Sequence, residues 1–205
     1  MLLACWRVRA GVPVALLLAW ACAPAQADTI GGLPPVITGL SATQVPGQKF
    51  TISGRVADNN PGSCTVTISG VASGTTTCDA QGDFSVTLAV PTLGNISVVA
   101  SDGTLNSTAA GLNLINGAPG ITMQAVRNGA QVTFSGSVAD EAPAGLTVTL
   151  SGTRAVNGRT ATVAADGSWS ITVTILAGNG GSGGNVTATV TDWYGQTGQA
   201  YTSYY

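Results

Sequence analysis

Histidine is absent from all 205 residues. Its absence removes the Ser–His–Asp and Cys–His nucleophile pairs and the commonest ligand of transition-metal sites. Charge is also scarce. Charged residues make up 8% of the chain, with seven Lys and Arg against nine Asp and Glu, and Lys49 is the sole lysine. A chain of this kind has no basic patch with which to capture nucleic acid or an anionic lipid surface. It does not read as disordered either, because its hydrophobic content of 44% is too high for a segment that cannot build a core. Long helix-forming stretches are missing. No apolar run reaches the roughly 20 residues that a membrane-spanning helix needs.

The longest apolar run, Val12 to Ala21, follows Arg7 and Arg9 and precedes Ala25-Gln26-Ala27. A positive start, a short apolar middle and small residues at the cleavage positions read as a secretory signal peptide over 1–27, cut before Asp28. Cys22 offers the alternative of a lipid anchor, but Ala19-Trp20-Ala21 before it lacks the usual leucine of a lipobox. The expectation is export: secreted, extracellular or at the cell surface, with the periplasm left open. The expected mature chain keeps five of the basic residues and all nine acidic ones, for a net charge near −4.

Gly, Thr, Ser and Val dominate what remains. Val and Thr in alternation argue for strands. One stretch organises the rest: Phe50-Thr-Ile-Ser-Gly-Arg-Val-Ala-Asp58 returns as Val132-Thr-Phe-Ser-Gly-Ser-Val-Ala-Asp140. In each copy a proline stands three residues past the Asp, at Pro61 and Pro143. In the first copy Phe50, Ile52 and Val56 face one way and Thr51, Ser53 and Arg55 the other, which is strand period two. Turn signals separate seven short strands in each copy, the pattern of an immunoglobulin-like sandwich.

The expected organisation is a flexible leader over 28–34, one Ig-like domain over 35–115, a linker over 116–120 and a second Ig-like domain over 121–205. The fold class is all-β, two tandem immunoglobulin-like β-sandwiches. The offset between copies grows from 82 to 90 along the chain, which places insertions around Thr153 to Gly158 and around Ala177 to Gly184. Loops absorb insertions because little packing depends on them. The glycine-rich Ala177–Gly184 stretch lacks the Lys-Ser/Thr of a phosphate cradle and reads as a hairpin connection.

Cys64 and Cys78 lie symmetrically about residue 71, so two adjacent antiparallel strands would bring them face to face. In an exported chain they are expected to form a disulfide. Leu146 and Val163 take their places in the second copy. An apolar pair there replaces the staple, and Trp169 in place of Phe84 adds buried area.

Gly136-Ser-Val-Ala-Asp140, Thr147-Val-Thr-Leu-Ser-Gly152, Asp166-Gly-Ser-Trp-Ser-Ile171 and Val190-Thr-Asp192 with Gly195 resemble the bacterial Ig-like repeats of surface adhesins. The resemblance covers about 121–200, and more weakly 36–114. It implies an Ig-like sandwich serving as a spacer or adhesive module outside the cell, in some members stiffened by calcium.

The Asp residues mostly stand beside Gly, Asn or Pro, where the side chain caps a turn. In a seven-stranded sandwich the loops after the second and sixth strands share one end. Asp58 and Asp102 would converge at that end of the first domain. Asp140, Glu141 and Asp192 would converge at that end of the second, which faces the linker and Asn116. Clustered hard oxygens are what Ca²⁺ takes, six to eight at a time. Asn116, Asp140, Glu141 and Asp192 are therefore candidate calcium ligands, and no other cofactor is expected. Trp193 and Tyr194, with Tyr201, Tyr204 and Tyr205, gather aromatics near the C-terminus, and exposed rings can stack on sugars or anchor a protein. Trp193 and Tyr194 are the candidate ligand contacts. The expected function is non-enzymatic: an adhesion, spacer or interaction module whose partner is a surface protein or glycan. The alternative is a carbohydrate- or protein-binding module.

Overall fold

Alternation sets the strands, and the strands set two sandwiches. In the computed structural model, which describes residues 32–176 and 183–205, all the strand pairings are antiparallel. The signal-peptide reading of 1–27, most of the leader and the greater part of the glycine-rich connection lie outside the described residues.

In the first sandwich, β1 (Val36–Val45), β2 (Lys49–Ala57) and β5 (Asp83–Ala89) form one sheet in the order β1-β2-β5. The facing sheet is made by β3 (Thr65–Gly70), β4 (Gly74–Thr77), β6 (Gly94–Ser101) and β7 (Ala110–Leu114) in the order β4-β3-β6-β7. Phe50, Ile52 and Val56 from β2 meet Val66 and Ile68 from β3 and Val98 from β6 in a closed core. The apolar face read from the sequence is the buried one.

The second sandwich repeats the plan with β8 (Gly120–Ile121), β9 (Gln124–Asn128), β10 (Gln131–Ala139) and β13 (Ser168–Thr174) against β11 (Thr147–Gly152), β12 (Thr160–Thr162), β14 (Gly184–Thr191) and β15 (Thr197–Tyr204). Its core centres on Val132, Phe134, Val148, Leu150 and Trp169. Tyr204 belongs to it, 3% exposed, with its ring edge-on to Phe134 at 5.9 Å.

This sandwich has eight strands rather than the expected seven, because its first strand is broken. β10 pairs with both β8 and β9 in one continuous register, Val138 opposite Ile121 and Ser135 opposite Gln124. At the break the Ser137 N–H goes to the Thr122 hydroxyl at 2.9 Å. A side chain takes the place of one ladder carbonyl, while the Thr122 N–H still donates to the Ser137 carbonyl at 2.8 Å. The first sandwich meets the same corner with a register shift in β1 between Thr38 and Ser41.

The turn before β5 and its copy before β13 need glycine. Gly82 and Gly167 have φ of +87° and +81°, and a Cβ on either would collide with a backbone carbonyl of the neighbouring strand, that of Val56 or Val138. Their own carbonyls accept the N–H of those same residues, each at 2.8 Å. The first insertion, between β11 and β12, is built inward: Val156 is fully buried, and the Thr153 hydroxyl bonds the Tyr204 hydroxyl at 2.9 Å.

Candidate functional site: the junction between the sandwiches

Asp140 ends β10 as Asp58 ends β2. Each folds its side chain onto its own backbone, Asp140 accepting the Ala142 N–H and Asp58 the Asn60 N–H, both at 2.8 Å. Asp192 follows β14 and does more. Its Oδ1 accepts the N–H groups of Tyr194 and Gln196, both at 2.8 Å. Its Oδ2 accepts from the Asn116 amide at 2.7 Å, and the residue is only 6% exposed. A carboxylate buried this deeply survives because three donors replace its water.

The segment joining the sandwiches is therefore held from several sides. The Asn116 amide also donates to the Gly117 carbonyl at 2.8 Å, and the Gln196 amide donates to the Asn116 carbonyl at 3.1 Å. Glu141 Oε1 accepts the Gly117 N–H at 3.0 Å. The structure thus brings Asn116, Glu141 and Asp192 around one short segment, with Asp140 beside them. Burial pushes the Asp140 carboxyl above the ordinary carboxylate range. The Ala142 N–H works against the shift, while the charges of Glu141 and Asp192 add to it. Asp140 Oδ2 and Asn116 Oδ1 are buried with no partner among the described residues. No group of three His, Cys, Asp or Glu side chains among the described residues is placed to hold a metal by itself. A cation here would draw on the two orphaned oxygens and on backbone carbonyls as well as carboxylates.

The two candidate ligand contacts are turned inward. The Trp193 ring N–H donates to the Ala142 carbonyl at 2.8 Å, and the half-buried ring packs on the second core. Tyr194 crosses to the first sandwich, where its ring lies 6.4 Å from Phe50 and its hydroxyl donates to the Val90 carbonyl at 2.9 Å. Burial raises its phenol pKa. Packing and hydrogen bonding use both rings, and each residue stays half-buried. Adjacent aromatics in a turn read as exposed until the partner surface is known.

At the far end of the first sandwich Asp58 and Asp102 occupy the places of Asp140 and Asp192. Asp102 accepts from Thr104 and Leu105 at 2.6 and 2.7 Å, and those amides hold its carboxyl below the usual range. Gly103-Thr104 stands there where the junction has Trp193-Tyr194.

The register Thr65 opposite Thr77 extends by one step to place Cys64 opposite Cys78, and the Cys78 N–H donates to the Cys64 carbonyl at 3.0 Å. Both are buried, and no disulfide joins them in the structure. Burial pushes the Cys78 thiol pKa up, and Asp79 and Asp83 add to the rise. Leu146 and Val163 meet in the same way in the second sandwich, the Val163 N–H donating to the Leu146 carbonyl at 2.9 Å.

No protein-family model matches the chain. No curated protein matches it. Among solved structures it is similar to the tetra-tandem repeat from the extending region of a large adhesion protein, at 23% identity and a TM-score of 0.42 over 85% of this chain and 49% of that one. It is similar to the Ca²⁺-stabilised adhesin with which an Antarctic bacterium reaches out and binds ice, at 23% identity and 0.37 over 84% and 48%. It is also similar to invasin, a bacterial integrin-binding protein, at 22% identity and 0.38 over 81% and 38%. The chain spans between about two fifths and half the length of these structures. They are of the same class as the adhesin repeats that the sequence resembles. At such distances they carry no ligand or partner over to it.

Phe50, Val90 and Gln196 complete the junction and were not singled out by the sequence. Phe50 reads as one more inward strand residue, and Val90 contributes only a carbonyl, which every residue has. Gln196 sits four residues past Asp192, and that spacing within a capped turn was its only signal.

Proposed function

We propose that this chain is an extracellular spacer of the adhesion type: two Ig-like modules that hold whatever they carry at a set orientation from the surface. The observation that carries the reading is Tyr194. Its backbone is fixed by Asp192 in one module, and its ring and hydroxyl are seated on the other. Asp192 also ties down Asn116, so one carboxylate positions both the crossing side chain and the crossing backbone. The lack of histidine and the use of the carboxylates as turn caps support a non-enzymatic role. The signal-peptide pattern read in the sequence over 1–27 supports a place outside the cytoplasm.

Residual dipolar couplings test this directly. The spacer reading expects one alignment tensor for both modules, and two distinct tensors in Tyr194→Ala. Independent tumbling of the modules in the unaltered protein would sink it.

In an oxidising compartment Cys64 and Cys78 close a 15-residue loop, and the disulfide is proposed as a staple of the first module. Calcium at the junction is the second reading, favoured by the orphaned Asp140 Oδ2 and Asn116 Oδ1. Asn116, Asp140, Glu141 and Asp192 would hold the ion, whose charge would offset that of the gathered carboxylates. On this reading calcium raises the melting temperature of the unaltered protein and leaves that of Asp140→Asn where it was. Equal melting curves with calcium and with chelator would count against it.

A further inference from the structure

The outer face of β14 and β15 carries a tyrosine that neither core uses. Tyr201 is 70% exposed, yet its hydroxyl donates to Gln199 Oε1 at 2.6 Å. Gln199 stands two residues earlier on the same face of β15, and its amide donates in turn to the Thr189 hydroxyl of β14 at 3.3 Å. A surface tyrosine ordinarily samples several rotamers, and this one is tethered at its far end along the strand. A ring held there and still so exposed keeps an aromatic face open to solvent. Beside it lies a groove of about 350 Å³, lined by Asn185, Val186, Thr187, Tyr201, Thr202 and Ser203. Small-molecule sites run from ~300 to ~1,000 Å³. Strand alternation puts Tyr205, 86% exposed, on the same side four residues on, roughly 13 Å away by strand rise.

The surroundings of the ring say what it can take. None of the lining side chains is charged. A nucleobase stacks on such a ring, but the phosphates of a nucleic acid meet no cation here. A lipid tail meets hydroxyls and amides around the ring. The Ser203 hydroxyl donates to Asn185 Oδ1 at 2.8 Å, which uses that oxygen and leaves the Asn185 N–H groups to give. The Thr187 hydroxyl, opposite Tyr201 in the ladder, can give or take. A pyranose ring matches this set: its C–H face packs on an aromatic ring, and the hydroxyls at its edge both donate and accept. We propose that the outer face of β14 and β15 binds a neutral oligosaccharide, with Tyr201 as the stacking platform, Asn185 and Thr187 as hydrogen-bonding partners, and Tyr205 as a second platform further along the sugar chain. A single sugar reaches one ring and a chain of sugars reaches both, so the site selects for length. It lies toward the opposite end of β14 from Asp192 and the junction, and it does not depend on the spacer reading.

The first module supplies the control. Where Thr187 faces Tyr201 in the second module, Ser97 faces Gly111 in the first, so the same sheet face there has no ring. The test is a ¹⁵N-edited NMR titration of the full chain with cellohexaose, chitohexaose and mannohexaose, each beside its monosaccharide. The expected result is a set of saturable shifts at Asn185, Thr187, Tyr201 and Ser203 with at least one hexamer, while Asn95, Ser97 and Gly111 stay still. The matching monosaccharide should bind about tenfold more weakly. Tyr201→Ala should weaken hexamer binding about tenfold, the worth of one aromatic contact, and should keep its melting curve because the side chain lies outside the core. Tyr205→Ala should weaken the hexamer and leave the monosaccharide unchanged. Three results would overturn the proposal: no saturable shift with any hexamer, undiminished binding in Tyr201→Ala, or equal shifts in both modules. So would movement of the same resonances on dilution of the protein alone, since a second copy of the chain would then be the occupant.

Discussion

Asp166 takes two hydrogen bonds from a single residue, the Ser168 N–H at 2.9 Å and its hydroxyl at 2.7 Å. The hydroxyl is the larger cause of a carboxyl pKa below the ordinary 3.8, the amide the next. A carboxylate whose folded pKa is depressed contributes stability that is present above about pH 3.8 and is lost as pH falls through the folded value. NMR titration should place the Asp166 midpoint below 3.8 and move it back toward that value in Ser168→Ala. A midpoint unmoved by the serine change would mean that the amide alone sets it. The neighbouring Gly167 makes a different demand. Its φ of +81° and the Val138 carbonyl beside it leave no room for a side chain. Gly167→Ala should cost about 2–4 kcal/mol in urea unfolding, through strain and the displaced strand together. The Asp-Gly-x-Trp-Ser turn is one of the stretches that resemble the adhesin repeats, and its Asp and Gly have these two separate physical duties.

Cys64 and Cys78 flank β3 and β4, and Leu146 and Val163 stand at the matching ends of β11 and β12. If the disulfide forms, reducing it should lower the stability of the first module by about 3 kcal/mol, the chain-entropy worth of a 15-residue loop. Denaturant unfolding with and without reductant measures the difference, and Cys64→Ser should show no response to reductant. The register behind this prediction was legible from two residue numbers, because an antiparallel pair is symmetric about its turn. The buried faces of β2 and β10 were legible too, since period two leaves no other choice once one face is apolar. The β8–β9 break was not. Thr122 and Met123 are ordinary strand residues, and only the three-dimensional choice of a hydroxyl over a carbonyl as acceptor interrupts the ladder. The β11–β12 insertion was visible as added length, but the burial of Val156 within it was not, because one valine among polar residues carries no period.

Taken as a whole, residues 32–205 hold two cores, and Tyr194 packs on the one to which its own strands do not belong. Tyr194→Phe leaves the Val90 carbonyl without its donor and should cost about 1 kcal/mol. Tyr194→Ala also removes the half-buried ring and should cost about 2–3 kcal/mol. Both are read from denaturant midpoints, and the larger change should also separate the unfolding of the two sandwiches into two steps. That Asp140 and Asp192 gather at the linker end followed from topology alone. That Tyr194 would reach across did not, because alternation within one module says nothing about the surface of the next. The parts of this joint are not interchangeable. The second module brings the plug, Tyr194, and the first brings the socket, Phe50 and the Val90 carbonyl. The matching positions elsewhere are Gly103-Thr104 and Val132 with Ile175, with neither the aromatic pair nor the phenyl ring. A gene with the two modules exchanged would encode the same two sandwiches joined by a swivel, so the order of the modules is itself part of what the sequence specifies.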